Sequence, residues 1–463
     1  MIAGLKSYPE YKDSGLSWLG RVPDHWAIKR GKSYMTSIDV RSRDGREELL
    51  TVSSGRGVVP RSTAKVTMFK AESYAGYKLC WPGDLVINSL WAWGGGLGVA
   101  RHHGIISTAY SVYRHRPAAQ INPQYLHELV RSAAFNWELH VRSKGIWISR
   151  LQLTDTSFLD APIPLPPPEE QAAIVRFLDH ANRKIDGFIR AKRKLIGLLN
   201  EQKQAIIHRA VTRGLDPDVP MKPSGLDWLG DIPAHWEIVR SNRIFSLSKE
   251  LARPDDVQLS ATQAYGVIPQ VEYEELIGRK IVKINMHLEK RKHVEMDDFV
   301  ISMRSFQGGL ERAWSSGAIR SSYVILRPSN VVGVEYFQYL LKSPNYISAL
   351  QATGDFIRDG QDLTFDDFRK VDLPLPPLNE QHEIGRTITE SLGNIKATLE
   401  RTEREISLMQ EYRTRLTADV VTGKLDVREA AAQLPDEVPE SLDSEDDPDL
   451  AEEEESELEE MES

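Results

Sequence analysis

Four short stretches of this chain carry residue types that do chemistry, and each lacks one element its chemistry requires. Gly31-Lys32-Ser33 ends like a phosphate-binding loop, but Trp26 stands where the first glycine should, five residues before Gly31. His127-Glu-Leu-Val-Arg131 has the spacing of a zinc-protease helix, yet the second histidine is Arg131, so one ligand is lost. Gly94-Gly-Gly-Leu-Gly98 is a glycine-rich turn without the strand–turn–helix setting that binds dinucleotides. Asn122-Pro-Gln-Tyr125 departs at Gln124 from the Asn-Pro-Pro-Tyr of adenine methyltransferases; it reads as a helix start, and no S-adenosylmethionine glycine motif accompanies it. A Pro-Asp followed by a spaced Asp/Glu-x-Lys nuclease pair is also missing. The expectation is a binding protein, not an enzyme, with no catalytic residues, no metal ligands and no cofactor of its own.

Binding chemistry is better represented. Arg can donate two hydrogen bonds to guanine and Gln can pair with adenine, while either can neutralise or position a phosphate. In the first half of the chain the candidate DNA-reading residues are Arg41, Arg43, Arg56, Arg61, Trp91, Trp93 and Arg101, beside glycine-rich turns. In the second half they are Gln263, Arg279, Arg304, Gln307, Arg312 and Arg320. For any one of them the alternative is a solvated surface charge. Six basic residues between Arg183 and Lys194, against Asp186, read as a solvated helix face and secondarily as a partner or phosphate contact.

Charge is unevenly spread. The chain of 463 residues has a formal net charge of -9, with 58 Lys plus Arg and 67 Asp plus Glu; 16 of those acids follow Leu434 with no basic residue among them, leaving +7 on residues 1–434. A mildly basic body permits a nucleic-acid partner. The acidic tail, residues 427–463 in the division adopted below, is expected to be disordered. It serves solubility or, as a sharper alternative, competes with DNA for a basic groove. The single Cys80 excludes an intrachain disulfide and cysteine-cluster zinc sites and fits a reducing cytoplasm. With no export signal and no run of 18 apolar residues, neither secretion nor membrane insertion is expected.

The elements that must position these side chains are repeated. Pro164-Leu-Pro-Pro-Pro-Glu-Glu-Gln171 returns 210 residues later as Pro374-Leu-Pro-Pro-Leu-Asn-Glu-Gln381, and Val211-Thr-Arg-Gly-Leu-Asp216 as Val421-Thr-Gly-Lys-Leu-Asp426. Between each pair runs a stripe with the 3.5-residue period of a coiled-coil seam. The first is Ile174, Leu178, Ala181, Ile185, Phe188, Lys192, Leu195, Leu199, Gln202 and Ile206; the second is Ile384, Ile388, Ser391, Ile395, Thr398, Thr402, Glu405, Met409, Tyr412 and Leu416. Prolines bar the preceding residues from a helix interior, and Gly214 can close the first helix. Roughly 40 residues at about 1.5 Å each make a rod of about 60 Å. The second stripe is too polar to stand alone, so antiparallel pairing of the two helices is expected; two separate surface helices are the alternative.

A second repeat precedes each lobe. Ser14-Gly-Leu-Ser-Trp-Leu-Gly-Arg-Val-Pro-Asp-His-Trp-Ala-Ile-Lys-Arg30 matches residues 224–240 at 11 of 17 positions. Trp18, Trp26, Trp228 and Trp236 read as packing anchors more than as stacking platforms. The lobes between the repeats have β-like runs at Glu48 to Val52, Leu85 to Asn88 and Ile105 to Tyr113, and a helix predicted over Pro123 to Arg142. The second lobe follows the same plan with small insertions and deletions, as a shared scaffold carrying two different reading surfaces would.

In order, repetition and spacing, these motifs resemble the specificity subunit of type I restriction–modification enzymes. The resemblance rests on Tyr8-Pro-Glu-Tyr-Lys-Asp-Ser-Gly-x-x-Trp-Leu-Gly-x-x-Pro-x-His-Trp26, Gly266-Val-Ile-Pro269, Ser322-Tyr-Val-Ile-Leu-Arg-Pro328 and the two Pro-Leu-Pro-Pro…Glu-Gln entries to long helices, and covers about residues 5–426. It implies a mixed α+β fold. Two pseudo-repeated target recognition domains, residues 1–165 and 218–375, are joined by helices at 166–217 and 376–426 that form an antiparallel coiled coil. Each lobe would read one half of an asymmetric bipartite DNA target, with the helices setting the gap. Two methyltransferase subunits carrying S-adenosylmethionine would dock on the chain, and restriction subunits using ATP and Mg would join them. A coiled-coil adaptor that binds only proteins, and a diverged methyltransferase, are the rival readings.

Overall fold

A computed structural model describes residues 5–64, 71, 73–145, 151–281, 290–303, 305–353 and 363–435. The chain divides into two compact units, Met1–Ala191 with Glu405–Ser463, and Lys192–Arg404. Each is therefore built from one lobe and from parts of both long helices.

The first unit begins with a hairpin, Tyr11–Asp13 against Arg21–Pro23, and a strand, Ala27–Arg30, that pairs antiparallel with Pro162–Leu165. A strand holding Pro162 and Pro164 suits this two-stranded pairing, because proline cannot donate to a further neighbour. Between these two strands lies a four-stranded antiparallel sheet in the order Met35–Ile38, Tyr110–His115, Leu85–Asn88, Leu97–Val99. A separate hairpin pairs Leu50–Ser53 with Gly57–Pro60. The helix predicted over Pro123 to Arg142 is two helices, Pro123–Arg131 and Ala133–Arg142. Ser132 separates them: its backbone is extended, its hydroxyl donates to the Leu129 carbonyl, and it accepts from the Phe135 N–H, ending one helix and capping the next.

The second unit repeats the plan. Met221–Pro223 pairs with Asp231–Pro233, and Glu237–Arg240 with Asp372–Leu375. Its sheet runs Phe245–Ser248, Val324–Pro328, Phe299–Ile301, Glu311–Arg312, and its hairpin is Leu259–Thr262 with Gly266–Pro269.

The long helices are Pro168–Arg213 and Leu378–Val421. In the first unit the start of one shares a core with the end of the other: Ile174, Phe177, Leu178 and Ala181 pack with Leu416, Val420 and Val421. In the second unit the ends exchange roles, Ile207, Ala210 and Val211 packing with Ile384 and Ile388. The helices thus pair antiparallel. Each closes on a left-handed glycine, Gly214 (φ +73°) and Gly423 (φ +76°). A Cβ on Gly423 would lie 2.4 Å from Pro23 Cδ, so the helix end sits directly against the tryptophan-bearing frame.

The seam departs from the predicted stripe in phase. Ile174, Leu178, Ile185, Ile384, Ile388, Ile395 and Leu416 are buried as expected. Phe188, Leu195, Leu199 and Met409 are half-buried; Ile189 is buried beside Phe188, and Ile207 beside a half-buried Ile206. Gln202 is exposed, with Lys203 turned inward in its place, and Thr398 is exposed too. A helix of 3.6 residues per turn drifts about 20° per heptad from a strict 3.5 repeat, so a late seam position yields to its neighbour. None of the helices described is long and apolar enough to cross a membrane.

Candidate nucleic-acid interface

At the first residues of each long helix a Glu-Gln pair ties three separated segments together. In the first unit Glu170, buried at the helix start, accepts from Trp26 Nε1 at 2.8 Å and meets His25 Nε2 at 2.8 Å, and also accepts from the Tyr8 hydroxyl. Burial and this carboxylate hold the Tyr8 phenol far above its ordinary range, so it stays protonated and donates. Gln171, fully buried, accepts the Asn122 N–H at 2.7 Å and donates to the Pro166 and Gln120 carbonyls. The second unit reproduces the arrangement: Glu380 takes Trp236 Nε1 at 3.0 Å and His235 Nε2 at 2.7 Å, while Gln381 accepts from Gly333 N–H and donates to Pro376 and Val331. Trp18 and Trp228 pack edge-on against Phe135 and Tyr346. All four tryptophans of the repeat are packing anchors.

This frame presents a pair of turns in each lobe. In the first, the tip of hairpin Leu50–Ser53/Gly57–Pro60 lies beside the turn at residues 89–96. Arg131 fastens both, donating to the carbonyls of Gly95 and Leu97 on one side and of Ser53, Ser54 and Gly55 on the other. The residue that breaks the zinc-helix pattern is therefore a clamp. His127, one turn earlier, accepts the Val99 N–H through Nδ1, and burial with Arg131 and Arg101 nearby pushes its imidazole down to about 3, so it is neutral. In the second lobe Lys342 takes the place of Arg131: Nζ donates to the Gln263 carbonyl at 2.6 Å and pairs with Glu311 at 2.8 Å. Burial pushes the Glu311 carboxyl up to about 7, with Lys342 opposing the shift.

The glycine-rich runs are explained by these turns. A Cβ on Gly94 would fall 2.7 Å from the Trp91 ring, and one on Gly308 would fall 2.4 Å from the Gln263 side chain. Small residues let an indole and a hairpin tip dock where a nucleotide phosphate was the other reading.

The predicted reading residues fall into groups. Arg56 lies at the first hairpin tip and donates to Thr63 O, Arg61 follows the hairpin, and Trp91 and Trp93 lie in the adjoining turn with rings 4.8 Å apart. Arg41 and Arg43 are exposed on a neighbouring segment, Arg41 paired with Asp39. Arg101 stands apart, exposed and hydrogen-bonded to Gln124 in a cleft against the first long helix with Glu128, Asp179 and Asp186. In the second lobe Gln263 is at the hairpin tip and Gln307 is exposed in the short helix Ser305–Gly308, while Arg279 is exposed beyond the helix Gln270–Ile277. Arg304 lies outside the described residues. Arg312 differs from expectation: its guanidinium is held by Asp297 at 2.6 Å and Gln338 at 3.1 Å and stacks over Trp314, so these donors are committed within the lobe. Arg320 lines a cleft of about 510 Å³ with Gln263, Tyr265, Tyr273, Arg291 and Tyr323. Tyr265, Tyr273 and Arg291 line the same cleft and were not among the residues predicted from the sequence; Tyr265 directly precedes the Gly266-Val-Ile-Pro269 element.

No family model matches the chain. Over 322 residues it is 23% identical to the type I restriction enzyme MjaX specificity subunit of Methanocaldococcus jannaschii, covering 67% of this chain and 69% of that protein. Over 288 residues it is 24% identical to the EcoBI specificity subunit of Escherichia coli, 59% of this chain and 60% of that one. Among solved structures, a chain from a study of complex assembly and conformational transition in a type I R-M system superposes with a TM-score of 0.62 at 17% identity, over 87% of this chain and 99% of that one. The HsdS subunit of Thermoanaerobacter tengcongensis is matched over 87% of this chain and 98% of that one, at 16% identity and a TM-score of 0.46.

Proposed function

From its kinship with the specificity subunits of type I restriction–modification systems, we infer that this chain is the DNA-recognition subunit of such a complex. It supplies recognition rather than catalysis. Each lobe reads one half of an asymmetric bipartite target, the long helices set the gap between the halves, and methyltransferase and restriction subunits assemble on the chain. Two methyltransferase subunits bring S-adenosylmethionine; restriction subunits bring ATP and Mg.

One observation carries this reading: a single frame, Glu170-Gln171 and again Glu380-Gln381 with their Trp and His partners, supports two hairpin tips of different chemistry. Ser54-Gly55-Arg56 stands at one tip and Gln263-Ala264-Tyr265 at the other. Duplicated scaffolds with unlike tips suit two unlike half-sites, since Arg and Gln favour different base edges.

The test is selection from a random DNA pool by this chain co-expressed with its methyltransferase partner. Two short, unlike half-sites at fixed spacing are expected. A palindromic motif would contradict independent lobes, and no enrichment from a folded complex would leave the protein-only adaptor.

A further inference from the structure

We propose that His293, Glu250 and Glu295 form a binding site for a divalent transition-metal ion of the zinc class in the second lobe. Glu250 follows the strand Phe245–Ser248, and His293 lies in the strand Lys292–Val294, immediately before Glu295. The His293 N–H donates to the Glu250 carbonyl at 2.9 Å, which brings the two segments together. One ring nitrogen of His293 and one carboxylate oxygen from each glutamate lie within 4.8 Å of one another.

The imidazole is only 2% exposed, and its two nitrogens are differently placed. Nδ1 meets both oxygens of Asp256, at 2.8 and 3.0 Å. Nε2 is enclosed and has no hydrogen-bond partner among the described residues. A carboxylate on Nδ1–H fixes the tautomer that offers the Nε2 lone pair, the arrangement common behind metal-bound histidines. A buried lone pair without a partner loses its hydration with nothing in exchange, and a metal ion removes that cost. Imidazole nitrogen with carboxylate oxygens suits zinc-class ions, with solvent completing the coordination.

Charge agrees. Arg327 lies 2.6 Å from Glu250, 3.9 Å from Glu295 and 3.1 Å from Asp298, and Arg253 lies 3.5 Å from Glu250 and 3.8 Å from Glu295. With Asp256, these carboxylates outnumber the guanidinium groups by two, the charge of one divalent ion. The first lobe lacks the ligands: Leu79, whose N–H donates to the Val40 carbonyl, stands in the place of His293, and Trp81, stacked with Arg114, in that of Glu295. One such site follows among the described residues.

Chelator-stripped protein, the whole chain, titrated calorimetrically with ZnCl2 should bind one tight equivalent. Glu295→Gln, a shape-conserving change at a half-exposed position, and His293→Ala should each weaken that binding at least tenfold, with circular dichroism confirming the fold of each variant. His208→Ala, on the exposed face of the first long helix, should bind as the unaltered chain does. Unchanged affinity in either Glu295→Gln or His293→Ala, or no bound equivalent at all, overturns the site and leaves an ion-pair network around Arg327.

Discussion

His127 shows how a side chain with the type of a metal ligand becomes a structural acceptor. Its Nδ1 takes the Val99 N–H, and a Cβ on Gly57 would lie 2.8 Å from its ring, so the imidazole fills the space behind the hairpin tip. Burial and two nearby guanidinium groups lower its pKa from 6.5 to about 3. The unfolded chain therefore takes up the proton first. The contribution of His127 to stability is complete above about pH 6.5 and is lost as pH falls toward about 3, by at most ~1.4 kcal/mol per pH unit. His127→Gln should flatten the pH dependence of the urea midpoint in that window relative to the unaltered chain. Equal slopes for the two proteins would show that His127 is not held neutral.

At the scale of elements, the long helices combine two pairings that periodicity treats as one. Near Ile174 and Ile384 the stripe and the buried positions coincide, because each helix begins locked to its frame by Glu170-Gln171 or Glu380-Gln381. Thirty residues on, the phase has moved and Ile207 occupies the core beside Val211, Ile384 and Ile388. Truncating a buried Ile costs about 2–5 kcal/mol, less where a site is half-exposed. Ile207→Ala should therefore destabilise the second unit by about 3 kcal/mol, and Ile206→Ala by clearly less, in denaturant unfolding. The reverse order would restore the strict 3.5 seam. Ser132 is a second element-scale case: an apolar pattern continuous through Phe135 concealed a break made by one hydroxyl.

For the molecule as a whole, the consequence of duplication is independence of the lobes. Arg56 at one hairpin tip and Gln263 at the other are carried by separate compact units. A good bidentate base contact discriminates by about 1–3 kcal/mol. Arg56→Ala should relax selection in one half-site only and Gln263→Ala in the other, each about tenfold or more at one position, with spacing unchanged. Loss spread evenly over both halves, read from selected pools, would place these residues on phosphate or in the fold. Arg312 would make a poor substitute for such a test, since Asp297, Gln338 and Trp314 already occupy it.

The sequence by itself determined the duplicated frame. Trp, His, Pro and the Glu-Gln entry recur at a fixed shift of 210 residues, and such local chemistry (a proline-barred helix start, a glycine helix end, a buried indole seeking an acceptor) is legible without coordinates. It also excluded the phosphate loop and the zinc helix, because those motifs fail at single named residues. Only the tertiary structure decided what Arg131 and Lys342 do, why a side chain at Gly94 would strike the Trp91 ring, and which arginines are committed inside a lobe. It alone brought Glu250 and Asp256 together with His293, from segments far apart in the chain. Hydrogen bonds to carbonyls and close approaches across a hairpin leave no period and no spacing in the chain, because the partners are chosen by packing rather than by position.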